Sequence, residues 1–154
     1  MKRIVLVLAL TAAHATFAGD LPDPRLTPGA IDNSITQQNI QSTVCRKGYT
    51  KKVRPPTSFT NKLKKQQLRE YGYADRNPKH YEEDHLIPLN IGGAPDDPRN
   101  LWPEPRNSEW NAEKKDVLEL KLYHMVCKGQ VSLSEAQQAY KTDWIAAFHK
   151  YVGN

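Results

Sequence analysis

The chain has 154 residues, 38% of them hydrophobic, with 22 Lys and Arg against 17 Asp and Glu and a formal charge of +5. That length suits one domain with a modest core. No stretch after the first residues is apolar enough to span a membrane, and two isolated cysteines lack zinc-finger spacing, so a structural zinc is not expected.

Residues 1–18 open with Lys2 and Arg3, continue with a short apolar run over 4–13, and offer small residues for cleavage at Ala13-His14-Ala15 and Thr16-Phe17-Ala18. The run is too short for a bilayer helix, so this reads as a signal peptide of a periplasmic or secreted protein, with an uncleaved anchor as the alternative. Residues 19–57 carry Pro22, Pro24 and Pro28 and are expected to be an extended segment packed on the domain. Within it, Thr36 is a candidate cap for a short helix to Gln41 with Ile40 inward. Residues 44–53 read as strand or loop until Pro55-Pro56 breaks them.

The main domain is expected over 58–154. Ser58 or Thr60 caps a helix reaching Tyr71, with Leu63 and Leu68 buried, and Gly72 ends it. Residues 81–89 read as a strand, Gly92-Gly93 as a turn, 94–99 as a polar loop, and 100–102 as a second strand ended by Pro103 and Pro105. Asn107 or Ser108 caps a helix to Cys127 whose apolar positions are Val117, Leu118, Leu122, Met125 and Val126. Ser132 to Glu135 forms a capping box for the next helix. A last helix spans 143–152 with Trp144, Ile145 and Phe148 inward. Trp102 and Trp110 are also expected in the core rather than on a base-stacking surface. The fold class expected is α+β.

Cys45 and Cys127 are expected to pair, as two cysteines of an exported protein usually do. The bridge would stabilise by roughly 4–5 kcal/mol on the chain-entropy account. The alternative is two unrelated buried thiols. Residues 45–79 hold many basic side chains against only Glu70 and Asp75. Lys62, Lys64, Lys65 and Arg69 are therefore candidate phosphate-backbone contacts, set against an ordinary solvated basic face.

The chemistry concentrates in Asp84-His85-Leu86-Ile87-Pro88-Leu89, then Gly92-Gly93, then Asn100-Leu101, then Asn111 with Lys114 and Lys115. Neighbouring residues of a strand point to opposite faces, so Asp84 and His85 converge only where the strand ends or twists. Over residues 81–116 this pattern resembles the HNH endonucleases, the ββα-metal (His-Me finger) group, and the surrounding chain looks like small exported bacterial proteins of that type.

The resemblance implies a ββα-metal core dressed by helices. Asp84 matches the acidic metal ligand, His85 the general base that activates water, and Asn100 the residue that holds the motif loop and orients the histidine. Asn111, or nearby Asn107, falls at the second metal ligand. Lys114 or Lys115 would meet a phosphate. Glu82, Glu83 and Glu104 are nearby carboxylates able to support the site, though surface acids are their default. One divalent ion is implied, Mg²⁺ or Mn²⁺ first, with Ni²⁺ or Zn²⁺ accepted by the same ligands. The disulfide would stand in for the cysteine-held zinc found in many relatives. The implied activity is hydrolysis of DNA, or RNA, by a monomer. Two other readings stay open: a non-catalytic module that binds nucleic acid or another polyanion, and an exported protein that binds an acidic partner or inhibitor.

Overall fold

The structure is a computed structural model that describes residues 19–153, so the expected signal peptide lies outside the described residues. Helices and one antiparallel two-stranded sheet make up a mixed α+β architecture. Among the described residues no helix is long and apolar enough to cross a membrane.

The sheet joins β1 (Tyr81–His85) to β2 (Leu101–Pro105), with Asp84 opposite Trp102 and His85 opposite Leu101. Alternation gives each face a distinct set. Glu82, Asp84, Trp102 and Glu104 share one face, and Tyr81, Glu83 and His85 share the other. Strand β2 continues through Pro103 and Pro105 instead of ending at them. Alternate residues of an antiparallel strand turn their N–H away from the partner, so proline fits there in a two-stranded sheet.

Helix α1 (Tyr49–Val53) follows Gly48, whose φ of 87° starts it, and takes the place of the expected strand or loop. Helix α2 (Thr57–Glu70) packs on the Tyr81 face, where Leu68, Tyr73 and Tyr81 make a small cluster. Its cap position is Pro56, earlier than Ser58 or Thr60 and without a side-chain cap bond. The expected 36–41 helix is only a 3-10 turn over Ile40–Ser42, with Ile40 buried as expected.

On the opposite face, Trp102 joins the main core. Helix α3 (Ala112–Cys127) supplies Leu118, Leu122 and Val126, and helix α4 (Leu133–Tyr151) supplies Tyr140 and Trp144. Helix α3 begins at Asn111, not at Asn107 or Ser108. The preceding segment is held by Trp110, whose ring packs edge-on against Trp144 and Phe148. Val117, expected inward, is 51% exposed. Helix α4 is two helices end to end. Asp143 leaves helical geometry, and its Oδ1 accepts from the N–H groups of Ile145 and Ala146, a second cap where the last helix was expected to start. Ser132 caps the first half through the N–H of Glu135.

Cys45 and Cys127 form the expected disulfide, 82 residues apart in sequence. The N-terminal segment is irregular and stitched to the motif loop. Gly29 N–H donates to Arg99, Asp32 N–H to Gly92, and Ala94 N–H to Ala30, and Ile31 bridges Gly93. Gly93 has no room for a side chain, because a Cβ there would lie 1.8 Å from the carbonyl oxygen of Ile87. Gly93→Ala should therefore cost more than the roughly 1–3 kcal/mol of ordinary overpacking, read as a lower urea midpoint.

Candidate active site

His85 is the last residue of β1 and only 3% exposed. Its Nε2 lies 2.8 Å from the carbonyl oxygen of Pro95. A carbonyl only accepts, so Nε2 carries the proton and Nδ1 holds the lone pair. No hydrogen bond to Nδ1 is found among the described residues, and Nδ1 is not one of the sealed polar atoms. Burial lowers the pKa of His85, against the opposing pull of Asp84 and the Pro95 contact. The ring is therefore neutral near pH 7 with a lone pair to offer, as a general base requires.

Asn100 fixes the loop that presents Pro95. It is fully buried. Its Oδ1 accepts from Ile87 N–H at 2.9 Å, and its Nδ2 donates to the carbonyls of Ile87 at 3.0 Å and Ala94 at 3.1 Å. The carbonyl of Asn100 also accepts from Leu86 N–H. Asn100 thus clamps both ends of the loop, and the clamp places the Pro95 carbonyl against the histidine.

Across the sheet, Asp84 meets the ammonium of Lys115 on α3. Lys115 is fully buried; its Nζ donates to Glu119 at 2.7 Å and lies 4.0 Å from Glu104, itself fully buried. Burial alone would lower the lysine, but Asp84, Glu119 and Glu104 together raise its pKa well above normal. Burial likewise pushes Asp84 up, and Lys115 outweighs it and holds the carboxyl below its usual value. Glu104 goes the other way: burial, helped by Asp84, raises its pKa well above the usual value, although Lys115 opposes the shift. Burial also brings Glu119 up to about 7.

No family model matches the chain, and no curated protein or solved structure matches it either.

The two expected metal ligands do not make a ready cation site. Asp84 is engaged by Lys115, and Asn111 Oδ1 caps α3 by accepting from Lys114 N–H at 3.1 Å. Asn107 is exposed on the connection before the helix. Among the described residues no group of three or more His, Cys, Asp and Glu is arranged to hold a metal.

The expected phosphate contacts divide. Lys62, Lys65 and Arg69 are exposed on α2. Lys64 is half-buried and donates to the carbonyl of Tyr81 at 3.1 Å. Lys65, Lys79 and Arg106 help line a shallow groove beside Tyr81. That is the far end of β1 from His85, roughly 13 Å away at strand rise. Lys114 lies over the Trp110 ring at 4.2 Å, and Lys115, buried among carboxylates, does not reach a surface ligand. That expectation for Lys115 is corrected by the turn of α3, which aims it inward.

Two residues near the site escape sequence reasoning. Arg54 is exposed, and its charge acts on both His85 and Asp116. Nothing in the Arg54-Pro55-Pro56 string pairs it with residues thirty and sixty positions on. Glu119 is four residues after Lys115 on one helix face, a spacing that favours an ion pair and could have flagged it.

Glu83, on the histidine face, has both carboxylate oxygens buried without a hydrogen-bond partner. Burial raises its pKa to about 8, with Lys64 opposing. The folded state therefore holds a proton that the unfolded chain releases from about pH 4.5, and stability falls as pH rises from there to about 8. One such group contributes a slope of at most about 1.4 kcal/mol per pH unit. Glu83→Gln should flatten the loss of melting temperature over that window.

Proposed function

We propose that the protein is an exported HNH-type nuclease that hydrolyses phosphodiester bonds of DNA or RNA, with His85 as the general base. The observation that carries this reading is the histidine's tautomer: Nε2–H is spent on the Pro95 carbonyl, leaving Nδ1 to take a proton from water. The Asn100 clamp and the neighbouring Asp84 support it. Export to the periplasm or medium is supported by the Cys45–Cys127 bridge.

In the proposed reaction a water oxygen bonds to phosphorus and its proton passes to His85 Nδ1. The bond from phosphorus to the leaving sugar oxygen breaks, and that oxygen takes the electron pair and then a proton from solvent. The divalent ion implied by the resemblance has no ready donor set here, so no step is routed through it. Arg54 is the exposed cation whose charge reaches the histidine, and it suits the developing phosphate charge. The lysines of α2 would hold the strand by its backbone with little sequence preference.

The test is plasmid nicking by the oxidised mature protein beside His85→Ala and Arg54→Ala. Nicking lost with His85 and weakened tenfold or more with Arg54 supports the reading. Folded protein that cuts neither duplex, single-stranded DNA nor RNA sinks it. Salt-sensitive binding without cleavage would instead support a polyanion-binding module, which the exposed Lys62, Lys65 and Arg69 also suit.

A further inference from the structure

The position beside Asp84 asks for a cation. In the HNH-type reading, on which this inference rests, that cation would be a divalent metal. We infer that the site carries its own cation instead: the ammonium of Lys115 occupies the position beside Asp84, and the protein holds no divalent ion there.

Four observations support this. Lys115 has no exposed surface, and its ammonium contacts Asp84 and Glu119 and lies 4.0 Å from Glu104. The Tyr140 ring closes another side, its centroid 5.7 Å from the ammonium. Glu104 is fully buried with no hydrogen-bond partner for either oxygen among the described residues, so its carboxyl group faces the lysine and nothing else polar satisfies it. Finally, the lysine stands on the buried stripe of α3 formed by Ala112, Lys115, Leu118, Leu122 and Val126, so the fold directs it inward.

A metal competing for Asp84 must displace an ammonium enclosed by the core, and it would leave that ammonium buried without its partners. Such a charge is costly. The exchange would also place two cations against the same carboxylates. Lys115 is thus a positioning residue. It holds the Asp84 carboxylate from the core side and does not touch substrate.

The test uses the full mature protein. Calorimetric titration with Mg²⁺ and with Mn²⁺ is run on wild type and Asp84→Asn, and the Lys115 ammonium resonance is followed by nitrogen-15 NMR as Mg²⁺ is added. The expected result is an unchanged lysine signal, and either no binding or binding that survives Asp84→Asn and so lies elsewhere. Stoichiometric binding lost in Asp84→Asn, or loss of the lysine signal with Mg²⁺, overturns the inference. Nicking assays in EDTA separate this from the nuclease reading. Cleavage that persists in EDTA and vanishes in His85→Ala supports both. Cleavage that requires metal, with the lysine signal lost, overturns the resident cation and keeps the nuclease. No cleavage under any condition, with the signal intact, overturns the nuclease and keeps the resident cation.

Discussion

Plasmid nicking should fall by roughly 10²–10⁴-fold in His85→Ala, the range for loss of a positioned general base. The size of the drop follows from the ring's geometry. With Nε2–H held by Pro95 at 2.8 Å, the imidazole keeps one lone pair, on Nδ1, and one orientation. Asp84 faces the other side of the sheet and is tied to Lys115. The substitution also leaves the Pro95 carbonyl without its donor, a cost of about 1–3 kcal/mol if water does not enter. Thermal melts and far-ultraviolet circular dichroism of the variant check that the chain stays folded. A folded variant that still nicks at the wild-type rate places the chemistry elsewhere.

Lys115→Met should lower stability by about 3–5 kcal/mol, the range for removing one partner of a buried ion pair. Methionine fills similar space, so the loss reports charge more than volume. The stranded groups are Asp84 and Glu119. Asp84→Asn in the same chain should recover much of the loss, because it removes one of the stranded charges. The pH dependence has a definite sign. Wild-type Asp84 has a depressed pKa, so its pairing stabilises above the ordinary value of 3.8 and is lost as pH falls below it. Without the lysine, protonating Asp84 and Glu119 relieves the repulsion, so the variant's deficit shrinks as pH falls. Urea midpoints across pH for wild type, single and double variants measure all three effects.

The motif residues differ in how far the sequence revealed them. Asn100 is legible as a loop-holding residue because asparagine readily bonds loop backbone, and the clamp on Ile87 and Ala94 matches that. The conflict between Asp84 and His85 was legible too, as a consequence of strand alternation. The register ends β1 at His85 and keeps the two on opposite faces, so the strand end does not turn them toward one side. The sequence makes Lys114 and Lys115 equivalent candidates, and the structure separates them. One residue along a helix turns the side chain by about 100°, which carries Lys114 to the Trp110 ring and Lys115 into the core. The stripe through Leu118, Leu122 and Val126 extends back to Lys115, so the signal was present, but a charged residue on an apolar stripe is easily assigned to the surface. Arg54 left no local signal, because only the packing of the chain brings it near His85. The start of α3 was misplaced for a similar reason: Asn107 and Asn111 are both good caps, and the packing of Trp110 decides between them.

The bond between Cys45 and Cys127 closes a covalent ring that contains β1, the motif loop, β2 and nearly all of α3. A protease cut at one point inside that ring, whether in the 94–99 loop or at 106–110, leaves the two pieces joined. Such a clipped molecule migrates as one species on a non-reducing gel and separates into two fragments only after thiol treatment, whereas a cut before Cys45 or after Cys127 releases its fragment without reductant.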